Sequence, residues 1–149
     1  MRALEDSPDA FGSTFARETT FSNQEWSTRL SNGVTSPLNF PSVAECDGRA
    51  VGLMWTRVEP EDRSLAMLYQ VWVDPEYRRH GVGRALLDAA VSWARSAGVT
   101  TIALSVANGP RSALEFYKSA GFVVSGEPLP LRAGSDIVQR GMELRLKEP

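Results

Sequence analysis

The sequence predicts an α+β domain with a mixed β-sheet. Three observations lead to this class: the first forty residues are helical and irregular, a meander of three strand-like segments follows, and helices then alternate with strands along the rest of the chain. The 149 residues are 42% apolar and 23% charged, which is typical of one soluble globular domain. We therefore expect a single domain over residues 1–149.

The N-terminal part is predicted to contain a well-capped helix. Ser22 and Glu25 have the spacing of a capping box, in which the serine side chain and the glutamate side chain each satisfy a backbone N–H group of the other. The apolar residues Trp26 and Leu30 then fall on one face. Gly33 is expected to end this helix.

A β-hairpin and a third strand follow. Residues 42–45 and 50–58 flank the dipeptide Asp47-Gly48, and Asp-Gly between apolar segments is a strong hairpin signal. Residues 65–73 are nearly all apolar, which is typical of a central strand covered on both faces.

The second half of the chain is expected to alternate between helix and strand. Apolar residues at three- and four-residue steps predict a helix over residues 81–97, ended by Gly98. The remaining predicted elements are a strand over 101–106, a helix over 110–120, a strand over 122–125 and a last strand over 137–146 interrupted by Gly141.

Composition excludes several classes of function. The net charge of −2 does not suit non-specific binding of nucleic acid, which needs a basic excess. Cys46 and His80 are single, so an internal disulfide, a cysteine-based zinc cluster and a histidine-rich metal site are excluded. No apolar segment approaches the ~20 residues that span a bilayer, and the polar N-terminus does not resemble a signal peptide. We expect a cytoplasmic protein without a metal, bound neither to membrane nor to nucleic acid.

The most informative segment joins the apolar strand to the next helix. It contains Pro75, three arginines and the pair Gly81-x-Gly83, which opens the helix. The first N–H groups of a helix have no internal partner, and together with the positive end of the helix dipole they bind anions. The segment therefore predicts a phosphate site, surrounded by Arg78, Arg79 and Arg84.

Two other phosphate motifs do not fit this segment. A dinucleotide-binding fingerprint would need a third glycine where Leu86 stands, and a Walker loop needs a Gly-Lys-Ser/Thr sequence that the chain lacks. A glycine-rich turn before an ordinary helix remains the alternative on local evidence alone.

Two motifs together resemble the GCN5-related N-acetyltransferases. Arg78-x-x-Gly81-x-Gly83, after a strand that ends in Val73-Asp74-Pro75, resembles the acyl-CoA motif of this family. Downstream, the residues that resemble its second motif are Leu104-Ser105-Val106, Asn108, Ala113, Phe116-Tyr117 and Gly121-Phe122. The two matches lie in the family's order and cover about half the chain.

The resemblance implies a sheet that is largely antiparallel, has helices on both faces and splays apart at its centre. The strand over 65–73 would separate from the strand over 101–106, and the pantetheine arm of acetyl-CoA would lie between them. Backbone groups at Val71, Trp72 and Val73 would contact the arm, and the amides of residues 79–84 would hold the pyrophosphate. The cofactor-binding residues implied are thus Val71, Trp72, Val73, Arg78, Arg79, His80, Gly81, Val82, Gly83, Arg84, Asn108 and Tyr117, with no metal.

The reaction implied is direct acetyl transfer from acetyl-CoA to an amine. The backbone N–H of Val71 would stabilise the thioester oxyanion. Tyr117 matches the family tyrosine that faces the sulfur, and a phenol can donate a proton to the departing thiolate. A buried structural tyrosine is the alternative for Tyr117, and a solvent-facing loop residue is the expected state of His80.

Three departures from the family leave parts of the site open. Ser105 stands where some members have a glutamate base, so the base is unassigned, with a water chain to Glu45, to Tyr69 or to the surroundings of the substrate as alternatives. Asn108 lies nine residues before Tyr117, where the family spacing is seven and would fall on Pro110. The family's first strand has no counterpart before the N-terminal helices, so we expect six or seven strands.

The acceptor and the assembly state stay open at this stage. Trp26 and Phe40 either line an acceptor groove or pack in the core. A catalytically silent acyl-CoA sensor on the same fold is the alternative to an enzyme. The protein is expected to be a monomer or a homodimer.

Overall fold

One six-stranded sheet organises the molecule. The computed structural model describes residues 1–109 and 113–146. Within them the helices are α1 (Arg2–Asp6), α2 (Phe15–Glu18), α3 (Asn23–Thr35), α4 (Val82–Ser96) and α5 (Leu114–Ser119), with 3₁₀ turns at Pro8–Ala10 and Pro75–Tyr77. The strands are β1 (Asn39–Cys46), β2 (Arg49–Val58), β3 (Leu65–Val73), β4 (Thr101–Ala107), β5 (Val123–Pro130) and β6 (Val138–Arg145).

The strands lie in the order β1-β2-β3-β4-β6-β5. Only the β3–β4 contact is parallel, and the other four contacts are antiparallel. The expected mixed, largely antiparallel sheet is therefore confirmed, and its six strands fall within the expected number.

Helices cover both faces of the sheet. Gly52 and Trp55 lie three residues apart on β2 and therefore point to opposite faces. A β-carbon at Gly52 would lie 3.1 Å from Leu86 of α4, whereas a β-carbon at Gly33 of α3 would overlap the indole of Trp55. Helix α4 thus covers one face and α3 the other, as expected.

The core lies mainly between the sheet and α4. Its fully buried side chains include Met54 of β2, Leu87 of α4, Ile102 of β4 and Met142 of β6. The buried side chains of α4 recur at three- and four-residue steps, which confirms the periodicity that predicted this helix. Gly98 has a φ of +77° immediately after the C-cap and ends the helix as predicted.

Local signals place two further elements as predicted. Ser22 accepts the N–H of Glu25 at 3.2 Å, and Glu25 accepts the N–H of Ser22 at 2.6 Å, so the capping box is formed. Asp47 and Gly48 both have positive φ, at 50° and 75°, which is the geometry of a tight two-residue hairpin.

Two glycines were wrongly expected to break an element. Helix α3 continues through Gly33 to Thr35. The glycine does not end the helix there, and its missing side chain leaves space for the indole of Trp55. Strand β6 runs without interruption through Gly141, where the backbone of β5 approaches closely. Strand β5 also extends to Pro130, beyond the predicted residues 122–125. The start of the predicted helix over 110–120 falls on residues 110–112, outside the described part of the chain.

Candidate active site

Strands β3 and β4 separate in the middle of the sheet. The two strands pair only at their first residues, where Leu65, Ala66 and Met67 of β3 lie opposite residues 101–103 of β4. Beyond this point β4 continues to pair with β6, and β3 continues to pair with β2. A wedge-shaped cleft therefore opens between the second halves of β3 and β4, as the resemblance implied.

A bulge bends β3 at the point where the cleft opens. Leu53 of β2 is opposite Trp72, but Trp55 is opposite Tyr69, so β3 carries one extra residue between these pairs. Gln70 occupies the bulge with a φ of +53°, a left-handed conformation that is costly for any residue except glycine. Tyr69 and Gln70 are exposed, so the expectation that both faces of this strand are covered is wrong at these two residues, whereas Trp72 is buried again.

The backbone of Val73 points into the cleft. Asp74 donates its N–H to the Val51 carbonyl at 2.8 Å, which makes Val73 a non-hydrogen-bonded position of the antiparallel ladder. In such a position the N–H and C=O groups face away from the neighbouring strand β2. Trp72, opposite Leu53, is the adjacent hydrogen-bonded position, so its backbone groups face β2.

The loop that follows β3 ends at the N-terminus of α4. Arg79 and Gly81 both have positive φ, at 63° and 83°, and Gly81 is the N-cap. No side chain caps this helix, and its first turn contains no acidic residue. The first N–H groups of α4 are thus available to an anion, with the positive end of the helix dipole behind them.

The two glycines of this loop act differently. An added β-carbon at Gly81 would meet no atom within 4 Å, so this glycine is required by its left-handed backbone. A β-carbon at Gly83 would lie 3.5 Å from the ring of Phe116 and 3.7 Å from the Val73 side chain, which is ordinary contact. These contacts also place the first turn of α4 directly beside the end of β3.

The arginines of the loop have different surroundings. Arg79 and its neighbour His80 are exposed. Arg84 pairs with Asp88 at 2.9 Å on the surface of α4. Arg78 instead turns towards the protein, where its Nε donates to the Val73 carbonyl at 2.8 Å and a terminal nitrogen contacts Asp6.

A buried aspartate anchors the start of the same loop. Asp74 is 5% exposed and accepts hydrogen bonds from Arg2 at 2.7 Å and Arg49 at 2.9 Å. Its other oxygen accepts the N–H of Glu76 at 3.2 Å. The turn that leaves β3 is therefore held by two arginines from outside the loop.

Tyr117 is buried on α5. The residue is 3% exposed, and its ring packs edge-on against Phe116 and Phe122 at centroid distances of 5.1 and 5.4 Å. Burial raises the pKa of the Tyr117 phenol well above its ordinary value. The phenol therefore keeps its proton at neutral pH, and no described residue hydrogen-bonds to its hydroxyl.

Ser105 and Asn108 lie on and just after β4. Ser105 is exposed and lies opposite Gly141 of β6. Asn108 donates its backbone N–H to the Val138 carbonyl at 2.8 Å, and its side chain is exposed. Ser105 therefore stands on the strand that forms the second wall of the cleft, and Asn108 follows directly after this strand.

The two residues named as alternatives for the base lie on different strands. Glu45 belongs to β1, and β2 separates that strand from β3. Tyr69 lies on β3 beside the bulge, and its hydroxyl is 3.4 Å from Glu59 Oε1. Burial and the neighbouring Glu59 charge raise the pKa of Tyr69, so this phenol also stays protonated.

Phe40 and the tryptophans Trp26, Trp72 and Trp93 make contacts with other side chains of the protein. Phe40 of β1 stacks on Trp93 of α4 at 5.3 Å, and Trp26 holds Arg29 over its ring at 4.9 Å. Trp72 is 7% exposed and donates its indole N–H to Asp6 at 3.0 Å.

The described part of the chain offers neither a metal-binding cluster nor a membrane-spanning helix. Among residues 1–109 and 113–146, no group of three or more His, Cys, Asp or Glu side chains could hold a metal ion. In the same residues, no helix is both long and apolar enough to cross a membrane.

Sequence reasoning missed the contributions of three residues to this region. Gln70 gave no signal, because glutamine rarely adopts a left-handed conformation. Asp6 gave no signal either, because its partner Arg78 lies 72 residues away. Asp74 was included in the first motif, but its burial between Arg2 and Arg49 could not be predicted because these partners lie far away in sequence.

Comparisons with known proteins agree with this geometry. The model of a family described as the Acetyltransferase (GNAT) family matches residues 2–122. A mycothiol acetyltransferase from Propionibacterium freudenreichii is 42% identical over 78 residues, which are 52% of this chain and 25% of that protein. The [ribosomal protein bS18]-alanine N-acetyltransferase of Escherichia coli K12 is 34% identical over 99 residues, which are 65% of this chain and 64% of that protein.

A solved structure adds a ligand to the comparison. A Bacillus anthracis protein assigned as a streptothricin acetyltransferase, in complex with acetyl coenzyme A, has a TM-score of 0.69 and 25% identity. The match covers 78% of this chain and 67% of that one. By contrast, the chain spans only a quarter of the length of the mycothiol acetyltransferase.

Proposed function

The chain belongs to the GNAT family of acetyltransferases, and from this premise we propose that it is an N-acetyltransferase that moves an acetyl group from acetyl-CoA to a primary amine. The observation that carries the proposal is the cleft between β3 and β4, which ends beside the uncapped N-terminus of α4. An acyl-CoA has a long polar arm with a pyrophosphate at one end. A free strand edge suits the arm, and a helix N-terminus suits the pyrophosphate.

The backbone supplies most of the binding groups in this proposal. In this proposal the backbone groups of Val73, which face the cleft, and those of Val71 pair with the amides of the arm, in the way that an added strand pairs with a sheet edge. The N–H groups of residues 79–84 hold the pyrophosphate, with the exposed charge of Arg79 nearby. Backbone donors of this kind are fixed by the fold and need little reorganisation on binding.

Acetyl transfer to an amine has three chemical requirements: a neutral amine, a stabilised oxyanion and a donor for the departing thiolate. A primary amine with a pKa of ~10.4 is about 0.1% neutral near pH 7.4, so its deprotonation costs ~4 kcal/mol. The Val71 N–H stabilises the charge that develops on the thioester oxygen. The Tyr117 hydroxyl donates its proton to the sulfur as the carbon–sulfur bond breaks, and the proton that the amine loses restores the phenol, because burial makes the phenolate unfavourable.

The proton acceptor for the amine is proposed to lie on the β3 side of the cleft. Ser105 cannot act as a base without help. Tyr69 lies beside the bulge and reaches Glu59, so a water chain through these groups has a carboxylate at its end. Glu45 is less suitable, because its strand lies two positions from the cleft.

The acceptor is proposed as a class rather than a compound. One relative is named for mycothiol and another for the alanine of a ribosomal protein, so both small molecules and proteins occur among the acceptors of related enzymes. We propose a primary amine of a small molecule or a protein, acetylated in the cytoplasm by a single-domain monomer or homodimer, without a metal.

A catalytically silent acyl-CoA-binding domain is the second candidate. Ser105, at the position of a glutamate base in some family members, is the observation that favours it. The two functions differ in whether free thiol is released from acetyl-CoA.

Thiol release separates these functions. We would incubate the full chain with acetyl-CoA and a panel of amines (polyamines, amino acids, aminoglycosides and peptides with a free N-terminus) and measure free CoA. Amine-dependent release at a rate above background supports the enzyme. Binding of CoA in calorimetry without release for any amine would support the silent domain.

A further inference from the structure

Asp6 and Arg78 join the N-terminal helix α1 to the end of β3. The Arg78 side chain contacts Asp6 through one nitrogen and the Val73 carbonyl through another, the second at 2.8 Å. The same Asp6 oxygen accepts the indole N–H of Trp72 at 3.0 Å and the hydroxyl of Ser7 at 2.6 Å. One carboxylate oxygen of Asp6 therefore accepts from three donors, which lie just after α1, on β3 and in the loop before α4.

The carboxylate of Asp6 is charged in this arrangement. Partial burial on its own would raise the pKa of Asp6, but hydrogen bonds from Ser7, Trp72 and Arg78 and the positive charge of Arg78 outweigh it, so the pKa lies below its ordinary value. The Asp6 side chain is 20% exposed and that of Arg78 37%, so solvent only partly screens the pair. The contact is a charge-assisted hydrogen bond at the edge of the core.

The position of Arg78 links the two halves of the proposed acyl-CoA site. Its side chain binds the carbonyl of Val73, which faces the cleft, and its backbone begins the loop that leads to Gly81. A carbonyl oxygen has two lone pairs, so the Arg78 bond leaves one of them, and the Val73 N–H, for a ligand. The guanidinium thus sets the distance between the strand edge and the loop.

We propose that Asp6 is a positioning residue for acyl-CoA binding. By holding Arg78 on the Val73 carbonyl, it fixes the strand edge that contacts the pantetheine arm relative to the backbone amides that hold the pyrophosphate. The inference rests on the proposed function. It also assigns the Arg78 side chain to the protein, so that Arg79 is the loop arginine whose side chain is free to approach phosphate.

The first test compares two neutral variants of α1 by calorimetric titration with CoA. Asp6→Asn keeps the side-chain shape and removes the charge, and we expect its Kd for CoA to rise about tenfold. Glu5→Gln makes the same charge change at an exposed residue of the same helix, and its Kd is expected to equal that of the wild type.

Steady-state kinetics separate positioning from general loss of structure. The KM for acetyl-CoA of Asp6→Asn should rise about tenfold, with kcat and the KM for the amine within about twofold of the wild type. Arg78→Lys keeps the charge but loses the planar fork that reaches both partners. Arg78→Lys therefore tests the Asp6–Arg78 contact through its other partner, and we expect it to raise the KM for acetyl-CoA as well. This variant keeps the test possible if Asp6→Asn does not fold.

The double variant Asp6→Asn/Arg78→Lys completes the test. Its Kd for CoA should equal that of whichever single variant binds CoA more weakly, because both substitutions remove the same contact between Asp6 and Arg78. A wild-type Kd for CoA in Asp6→Asn, or an equal effect of Glu5→Gln, would overturn the inference while the proposed function stands. Failure of the wild type to bind CoA would overturn the proposed function and this inference with it.

Discussion

The backbone of Gly141 on β6 lies so close to Ser125 on β5 that a β-carbon would be 2.7 Å from the Ser125 carbonyl oxygen. The two residues are opposite each other in the ladder, and Ser105 of β4 is opposite Gly141 on the other side. The glycine therefore allows the close approach of β5 to β6, next to the strand that forms the second wall of the cleft.

Replacing Gly141 by alanine should destabilise the protein. The new methyl group would press against a backbone atom that cannot rotate away, so we expect the free energy of unfolding to fall by about 1–3 kcal/mol. Urea denaturation measures this change. Gly109→Ala is the control, because a β-carbon there meets no atom within 4 Å. Equal stability of both variants would show that β5 moves to accommodate the methyl group.

The two ends of α4 offer a matched pair of glycines. Gly81 and Gly98 have φ of +83° and +77°, and neither β-carbon would meet an atom within 4 Å. Alanine at either position should cost about 1–2 kcal/mol of stability through backbone strain. Only Gly81→Ala should also weaken CoA binding, measured by calorimetry. A similar loss of affinity in Gly98→Ala would mean that strain in α4, rather than the N-terminal amides, controls binding.

Removal of the Tyr117 hydroxyl should affect turnover more than binding. Tyr117→Phe keeps the buried ring between its aromatic neighbours but removes the proposed proton donor. We expect kcat to fall at least about tenfold, since general acid catalysis contributes more than this in most enzymes. The Kd for acetyl-CoA and the melting temperature should change little. Unchanged turnover, with chemistry shown to limit the rate, would exclude Tyr117 from the mechanism.

The stabilising contribution of Asp6 should disappear in acid. Because the pKa of Asp6 is lower in the folded than in the unfolded protein, its contribution is complete above the unfolded pKa of ~3.9 and is lost as pH falls through the folded value. The difference in free energy of unfolding between the wild type and Asp6→Asn should therefore shrink between pH 6 and pH 3. A difference that is constant over this range would contradict the charged state assigned to Asp6.

Much of the fold could be predicted because its signals are local. The capping box at Ser22, the Asp47-Gly48 turn and the apolar run of β3 each specify an element from a few neighbouring residues. The two wrongly interpreted glycines failed for one physical reason. At Gly33 and Gly141, the glycine is needed because a residue distant in sequence, Trp55 or Ser125, lies against its backbone. A local sequence pattern does not contain that neighbour.

The candidate site divides in the same way. The loop before α4 could be predicted, because two glycines after a strand indicate a turn into a helix N-terminus, and its binding of an anion stays a prediction. The bulge at Gln70 could not, because its backbone conformation is imposed by the register of β2 and β3. The Asp6–Arg78 contact could not either, since it depends on the packing of α1 against the end of β3.

A crystal structure of the chain with CoA tests the central claim most directly. We predict the pyrophosphate within hydrogen-bonding distance of backbone N–H groups of residues 79–84, and the pantetheine arm in the β3–β4 cleft beside the N–H and C=O groups of Val73. CoA bound on another surface, with the cleft and the N-terminus of α4 left empty, would contradict the claim.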